Sequence, residues 1–473
     1  MPDAIIPSCE IEPHPLSLRD QIGRLFWWRG RLMREVPVEA NAEFDALWAS
    51  GLLQELQGRS WTPECQLTNY RTESGGRVLE HAVVPFVTYP IEWPFSMLQE
   101  AGEHLLRVNA LAKSYGYELK DAHGYNVVFA GPRAQFVDVT SFQLRAKGAV
   151  GWSAQSQFQS FFVDPLRIWS LSGPFVARRL LLGGESITDF ASSQLLSRGT
   201  RNLPLGIVQK LQRWRERLAM LNCLDDDILL AKAGPRLGRL LGAIRRRRYF
   251  PFHLDPEEVL GKQIRRLQPP SRKTEWSGYH QRLKQCPVTR RMEQVVARVS
   301  QLCPETVLDV GCNEGEFAFR FESETGARQV IALDADAQAM DVLYGRAKRE
   351  GRRVTPVYSD AMLPLLPVAG ISQRVRLRAD VVVALAITHH LLLSQRYNID
   401  YVMRRLAEFS RRHLVVEFMP MGLWNGTEAP PVPGWYNVDW FRAAVSRVCT
   451  AVEEVKLEEN RILFSGTVRV PLG

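Results

Sequence analysis

Residues 306–317 read Thr-Val-Leu-Asp-Val-Gly-Cys-Asn-Glu-Gly-Glu-Phe, and they decide the fold of the C-terminal part of the chain. The apolar run predicts a buried strand that ends near Asp309 and Gly311, and the residues after Gly315 have helical spacing. A strand, a glycine-bearing turn and a helix in this order bring a ligand close to backbone at the carboxyl edge of a parallel sheet. We expect Gly311 and Gly315 to leave space where a side chain would collide with that ligand.

Further carboxylates follow the next two predicted strands. Residues 329–333 predict a strand that ends at Asp334, and residues 354–358 predict another that ends before Asp360. A carboxylate at the tip of the second strand can accept both hydroxyls of a ribose, and Asp360 is placed to meet an adenine amino group. A dinucleotide site would have glycine at the position of Asn313 and a pyrophosphate on the helix N-terminus. An acid before the turn instead suits a cationic ligand.

This series of acids resembles the class I S-adenosylmethionine-dependent methyltransferases. VLDVGCNEGEF matches their glycine-rich first motif, ALDAD their acidic second motif and YSDAM their third. The resemblance implies a Rossmann-like, seven-stranded α/β sheet with S-adenosylmethionine as cofactor. The cofactor-binding residues it implies are Asp309, Gly311, Cys312, Asn313 and Gly315, then Asp334 and Ala335 at the ribose, Asp360 and Ala361 at the adenine, and Ala386. Asn313 departs from the family, where glycine is common, so the backbone contact there stays open. The alternative is an unrelated doubly wound fold with acids at strand ends by chance.

The fourth predicted strand spans residues 380–385, and the loop that follows it carries a histidine pair. His389 and His390 would lie beside the transferred methyl group, where a histidine can take a proton from a hydroxyl or ammonium acceptor. The alternative is that His389 caps the loop and His390 packs in the core. Glu417, at the end of the fifth strand, is a further candidate to orient the acceptor or the base. Later aromatic residues predict either an acceptor wall or ordinary packing: Trp424, Trp435, Tyr436 and Trp440.

A fainter pattern lies in residues 119–140, LKDAHGYNVVFAGPRAQFVDVT, which predict a loop, a strand, a hairpin turn and a second strand. The spacing of Asp121, Asn126 and Asp138 resembles the catalytic and metal-binding loops of protein-kinase-like phosphotransferases. If that site is active, the resemblance implies Asp121 as the base, Asn126 and Asp138 as metal ligands, and ATP with Mg²⁺ as cofactor.

The residues upstream fit a kinase-like small lobe only in part. They predict a hairpin-like pair over 24–36, a helix over 42–57, a strand over 78–89 and helices over 93–115. The chain lacks a convincing glycine-rich phosphate loop and a V-A-I-K lysine, and the hairpin offers Arg29, Arg31 and Arg34 instead. We therefore predict a degenerate α+β kinase-like domain with a binding or architectural role, with a bifunctional kinase/methyltransferase as the alternative.

As a whole, the sequence resembles a bacterial family of methyltransferases that includes a host-specific nodulation protein. The matching blocks are LKDAHGYNVVFAGPRAQFVDVTSF, YPIEWPFSMLQEA, TEWSGYH, ALAITHHLLLS and VVEFMP. The predicted division is a kinase-like domain over 1–245, with a small lobe over about 16–90 and a helical lobe over about 91–245. A basic linker follows over 246–287, and the methyltransferase domain occupies 288–473.

Composition and charge limit the function classes. Hydrophobic residues make up 45% and charged residues 23% of the chain, as in globular proteins with a full core. The first residues lack an apolar signal region, and the longest apolar run, 381–393, is too short to span a bilayer, so we expect a cytoplasmic protein without a membrane span. Seven scattered cysteines without a CxxC pair argue against disulfides and zinc.

The net charge of +9 raises the question of nucleic-acid binding. Much of the excess lies in residues 245–273, which we interpret as a solvated linker, so that an RNA methyltransferase is an alternative and not the favoured function. The predicted function is methyl transfer to an oxygen or nitrogen of a small-molecule acceptor in a biosynthetic pathway. A non-catalytic binding module is the other alternative, and the oligomeric state stays undetermined.

Overall fold

The computed structural model describes residues 4–15, 17, 22–146, 149, 151–182, 256–270, 289–363, 371–423 and 430–469. Residues 183–245 of the predicted helical lobe lie outside these ranges. None of the helices within the described ranges has the length and apolar character that crossing a membrane requires.

A six-stranded sheet forms the first lobe of the N-terminal part. Its strands are β1 (Ala4–Ile6), β2 (Glu12–Pro13), β3 (Arg24–Trp28), β4 (Arg31–Val36), β5 (Cys65–Thr72) and β6 (Arg77–His81). The order across the sheet is β1-β5-β6-β4-β3-β2, and all neighbours are antiparallel except β1 and β5. The predicted hairpin over 24–36 is therefore present as β3 and β4.

Two predictions for this lobe were wrong in detail. The helix predicted over 42–57 is two helices, α1 (Asn41–Ala49) and α2 (Leu52–Gly58). They separate at Gly51, whose φ of +83° is left-handed and cannot continue a right-handed helix. The strand predicted over 78–89 ends at His81, because the residues that follow leave the sheet and enter the connection to the next lobe.

The second lobe is built around the long helix α3 (Phe95–Ser114). Its remaining elements are β7 (Tyr117–Leu119), β8 (Val127–Ala130), β9 (Arg133–Phe136), β10 (Phe142–Leu144), α4 (Gln155–Phe158), α5 (Asp164–Ser172) and α6 (Pro174–Leu182). A single helix replaces the several predicted over 93–115. The strands β8 and β9 form the predicted hairpin.

Part of the predicted linker is instead an ordered helix, α7 (Pro256–Arg266). Leu260 and Ile264 are one helical turn apart and both are buried, so the helix has one apolar face despite its basic residues. The buried carboxylate of Glu257 accepts a hydrogen bond from Asn109 on α3. The prediction of a solvated linker over all of 246–287 was therefore wrong for this segment.

The C-terminal part is a mixed α/β sheet of seven strands. They are β11 (Thr306–Val310), β12 (Gln329–Asp334), β13 (Val354–Tyr358), β14 (Ala379–Ala384), β15 (Ser410–Phe418), β16 (Cys449–Glu458) and β17 (Arg461–Val468). Their order is β13-β12-β11-β14-β15-β17-β16. The first five in this order are parallel, and β17 pairs antiparallel with both of its neighbours.

Helices cover both faces of this sheet, as the apolar strands require. They are α8 (Arg290–Gln301), α9 (Glu316–Glu324), α10 (Ala337–Glu350), α11 (Gln373–Arg376), α12 (Ile399–Glu408) and α13 (Val438–Val448). Successive residues of β11 belong to different cores: Val307 joins the cluster that continues into the N-terminal lobes, and Leu308 joins the cluster under α12 and α13.

The N-terminal lobes are attached to the C-terminal sheet through buried polar contacts. Glu92 is fully buried and accepts hydrogen bonds from Arg376 and, at 2.8 Å, from Gln373. Nearby, the backbone N–H of Ser96 donates to Asp341 at 2.8 Å. Removing one member would leave a buried charge without its partner, so these contacts hold one relative arrangement.

Candidate active site

A cavity of about 1510 Å³ opens at the carboxyl edge of the seven-stranded sheet. Asp309 from β11, Asp334 from β12 and Asp360, which follows β13, all line it. Parallel strands place their carboxyl ends at one edge. The strand order reverses between β11 and β14, because β12 and β13 lie on one side of β11 and β14 and β15 lie on the other. The cavity therefore lies at the topological switch point, where ligands of open α/β sheets bind.

Asp309 is the most unusual acid of this site. Its side chain is buried, and its Oδ2 has no hydrogen-bond partner among the described residues. Burial, helped by the negative charge of Asp334, raises the pKa of Asp309 to about 7. A buried carboxylate without a partner gains most from a cation, because the cation compensates the lost hydration.

Asp334 is held in place by the turn that follows β11. Its Oδ2 accepts the backbone N–H of Asn313 at 2.8 Å, and its Oδ1 accepts that of Asp336 at 2.8 Å. Burial nevertheless raises its pKa above the ordinary value. Asn313 has a φ of +50°, a left-handed conformation that asparagine tolerates better than most residues. This is why asparagine can stand where glycine is common.

The reason predicted for Gly315 was wrong, and Gly311 has a packing reason of its own. A Cβ on Gly311 would lie 2.6 Å from Cδ1 of Ile387, and a Cβ on Gly315 would lie 2.6 Å from Cδ1 of Leu343. Protein side chains therefore lie close to both glycines. Gly311 lines the cavity, whereas Gly315 does not and instead precedes α9 with a φ of +84°.

The other predicted cofactor residues surround the same cavity: Cys312, Asn313, Ala335, Asp360, Ala361 and Ala386. The Oδ1 of Asp360 accepts the backbone N–H of Met362 at 2.8 Å, which orients its carboxylate. Burial raises the pKa of the Cys312 thiol well above its ordinary value, so the thiol stays protonated and unreactive.

Glu417 is not positioned to meet an acceptor. It is fully buried and does not line the cavity. Arg291 donates to it at 2.7 and 2.9 Å, and Arg461 donates at 2.8 Å. The backbone N–H of Ala386 donates to it at 2.9 Å, and Ala386 has a left-handed φ of +51°. Glu417 therefore holds the loop that carries the histidines through Ala386, and any orienting effect on a base acts through that loop and not from within the cavity.

The two histidines do line the cavity, with ring centres 4.0 Å apart. His389 is buried, and its Nδ1 has no hydrogen-bond partner within the described part of the chain. Burial, His390 and the charge of Arg461 lower the pKa of His389 to about 3. Neither structural alternative applies: the side chain of His389 makes no capping hydrogen bond, and His390 is only half-buried and begins a short π-helical turn at the cavity.

Sequence reasoning missed several cavity residues. Arg291 and Arg461 both line it, although they are 170 positions apart in numbering and no motif marks them. Tyr436, by contrast, is buried in the core, and Trp435 and Trp440 line a separate cavity of about 700 Å³. These three do not wall the main cavity, and Trp424 lies outside the described residues.

Of the three kinase-like residues, Asp138 is the one that the structure pairs with an arginine. The hairpin of β8 and β9 brings Asn126 to Val137, whose N–H donates to the Asn126 carbonyl at 3.0 Å. Asp138 is paired at 3.4 Å with Arg34 of β4, and it also accepts the hydroxyl of Thr140 at 2.7 Å. Asp121 is half-buried. Within the described ranges, no three His, Cys, Asp or Glu side chains are grouped so that they could hold a metal ion.

No protein-family model matches the chain. A search of characterised proteins finds Nodulation protein NoeA of Rhizobium meliloti (strain 1021), 26% identical over 96% of this chain and 94% of that protein. The solved structures that resemble parts of the chain include N-methyltransferase NodS from Bradyrhizobium japonicum WM9, with 12% identity, 38% of this chain, 97% of that chain and a TM-score of 0.29. A SAM-dependent methyltransferase from Aquifex aeolicus gives 16% identity, 42% of this chain, 100% of that chain and a TM-score of 0.33.

Proposed function

We propose that the chain is an S-adenosylmethionine-dependent methyltransferase whose active site is the cavity at the edge of the C-terminal sheet. The observation that carries this proposal is the buried Asp309 carboxylate, which has an oxygen without a partner among the described residues. Asp334 and Asp360 share its cavity. Three carboxylates in one pocket suit a ligand with a cationic centre and several hydroxyl or amino donors, which is what this cofactor presents.

Each acid has a distinct role in this proposal. Asp309 faces the cationic methionine end, Asp334 accepts the ribose hydroxyls, and Asp360 with Ala361 contacts the adenine. Asp334 retains acceptor capacity for this, because a carboxylate has about four lone-pair sites and the backbone takes two of them. The seven-stranded sheet, with its single strand antiparallel to both neighbours, supports the same assignment.

The acceptor is proposed to be a small molecule that is methylated at oxygen or nitrogen. The cofactor supplies an activated methyl group, so the protein mainly has to position the acceptor and exclude water. A base is needed only if the acceptor must lose a proton. Because its pKa is lowered to about 3, His389 accepts protons poorly near neutrality, and His390 is the better candidate.

For the N-terminal lobes we propose a kinase-like fold without phosphotransfer. The antiparallel strands β3 and β4, then α1 and α2, then β5 and β6 follow the order of a kinase small lobe. Arg34 on β4 lies where the V-A-I-K lysine would be, and it pairs with Asp138, the proposed metal ligand. With its carboxylate committed to an arginine, Asp138 is poorly placed to bind Mg²⁺, so we assign these lobes an architectural role.

Titration calorimetry with S-adenosylhomocysteine tests the methyltransferase assignment on the full chain. We expect binding by wild type and a large loss with Asp334→Asn. Asp380→Asn is the matched control, because Asp380 belongs to the same sheet but accepts the backbone N–H of Thr306 at the opposite edge. Thermal unfolding of each variant establishes that it is folded. No binding by folded wild type would favour a non-catalytic binding module.

A further inference from the structure

The cavity is completed by residues that do not belong to the seven-stranded sheet or its helices. Two segments contribute: Trp169 with residues 172–175, at the end of α5 and the start of α6, and Pro269 with Pro270, which follow α7. Gly173, with a φ of +86°, makes the turn between α5 and α6 and directs the start of α6 to the cavity. The N-terminal part of the chain therefore supplies one wall of the site.

This wall lies over the ends of β12 and β13. Arg178 of α6 donates to the carbonyl of Tyr358, the last residue of β13, at 3.1 Å, and its guanidinium lies 4.2 Å from the Tyr358 ring centre. The Trp169 ring is 6.0 Å from the same tyrosine. Gln338, which follows β12, donates to the carbonyl of Pro270 at 3.4 Å. The histidines follow β14, which lies on the other side of β11 from β12 and β13. The wall and the histidines therefore lie at opposite ends of the cavity.

Phe175 is the aromatic residue of this wall whose side chain is exposed. Its side chain lines the cavity and yet is 72% exposed, whereas Trp169 is 1% exposed and packed against Phe95. The Arg179 guanidinium lies 5.2 Å from the Phe175 ring centre, and both residues belong to α6. A large exposed aromatic ring in a cavity is a platform for a planar base, and stacking of this kind is tolerant of base identity.

We propose that Phe175 stacks on the purine of the methyl donor, so that the N-terminal lobes form part of the cofactor site. This inference rests on the proposed function. Its geometric basis is that Phe175 lines the same cavity as Asp334 and Asp360, the acids assigned to the ribose and the base, and is carried by α6, which contacts the end of β13 through Arg178. The buried contacts of Glu92 with Arg376 and Gln373 fix the lobes that carry the ring. The N-terminal lobes are thereby required for tight cofactor binding, although they lie outside the seven-stranded sheet and its helices.

Affinities for two ligands test the proposal on the full chain. S-adenosylhomocysteine has both the purine and the amino-acid end, and 5′-methylthioadenosine has only the purine end. Phe175→Ala is expected to weaken both ligands by the same factor, roughly five- to a hundred-fold, as loss of one base–aromatic stack does. Phe175→Tyr should retain the affinity of wild type. Asp309→Asn should weaken only S-adenosylhomocysteine.

Leu171→Ala is the matched control, because Leu171 is also an exposed apolar residue at 56%, lies on α5 and does not line the cavity. It should bind both ligands as wild type does. Equal affinities of Phe175→Ala and wild type would overturn the stacking proposal and leave the methyltransferase assignment standing. So would a loss confined to S-adenosylhomocysteine, or an equal loss in Leu171→Ala. Absence of binding by wild type would instead reject the methyltransferase assignment itself.

Discussion

Arg291 donates two parallel hydrogen bonds of 2.7 and 2.9 Å to the carboxylate of Glu417, although the two residues are 126 positions apart. The pair joins the first turn of α8 to the end of β15. Arg461 adds a third hydrogen bond to the same carboxylate from β17. A fully buried acid is thus surrounded by charge-assisted bonds, and these place the loop of Ala386 against the cavity.

Replacing Glu417 by Gln should destabilise the protein by about 3–5 kcal/mol, because it leaves the largely buried Arg291 without its counter-charge and leaves Arg461 with Glu458 alone. Equilibrium unfolding in urea measures this. Glu454→Gln is the control, since Glu454 pairs with a half-exposed arginine, Arg442, and should change stability by less than about 1 kcal/mol. Similar effects of the two variants would contradict the anchoring role of Glu417.

Asp309 predicts an unusual pH dependence of stability. Its pKa is raised to about 7 in the folded protein, whereas an exposed aspartate titrates near about 4. Between these values the folded state binds more protons than the unfolded state, so the free energy of unfolding should fall as pH rises through this window. Asp309→Asn should remove that part of the slope and be more stable than wild type above pH about 7. Urea unfolding of both proteins at a series of pH values measures this, and parallel curves would disprove it.

The same group should make cofactor binding depend on pH in the opposite direction. A cation needs the ionised carboxylate, so affinity for S-adenosylhomocysteine should rise by up to roughly tenfold per pH unit below the pKa of Asp309 and level off above it. Calorimetry across this range measures the effect. Asp309→Asn should bind weakly with a flat profile, and a flat profile in wild type would exclude Asp309 from contact with the ligand's cationic end.

His389 should not set the pH dependence of methyl transfer. Since its pKa is lowered to about 3, the ring is neutral throughout the neutral range. His389→Asn should lower the rate without moving the acid limb of the profile, whereas His390→Asn should abolish that limb if a base is needed. The measurement is kcat/KM for the acceptor against pH for both variants, at saturating S-adenosylmethionine so that the titration of Asp309 does not contribute. A limb that shifts only in His389→Asn would reverse the two roles.

The Arg34–Asp138 pair predicts that the kinase-like lobes do not respond to Mg²⁺ and ATP. Wild type should show no nucleotide-dependent shift in its melting temperature. Asp138→Asn should reduce stability by about 2 kcal/mol, because Arg34 is buried and loses a charged acceptor. Methyl transfer by this variant should persist at a temperature where it is folded. A clear stabilisation of wild type by ATP with Mg²⁺ would restore the phosphotransfer hypothesis.

Local patterns in the sequence determined the strands and the edge at which their acids meet. β11 is apolar on both faces because Val307 packs into one core and Leu308 with Val310 into another. Asp309, Asp334 and Asp360 come at or just after strand ends because such turns are local. Parallel strands then force these ends into one place. The hairpin of β8 and β9 could also be predicted from its turn residues, because a turn depends on residues that are adjacent in sequence.

Only the tertiary structure decided which surfaces meet, since that depends on packing between distant segments. Arg34 pairs with Asp138, 104 positions away in sequence, and Arg291 pairs with Glu417. No spacing rule connects the members of either pair. The space beside Gly311 belongs to Ile387, and the wall with Phe175 comes from another lobe. Periodicity shows that a face is apolar or that a charge needs a partner, but the partner is selected by the shape and burial of the assembled fold.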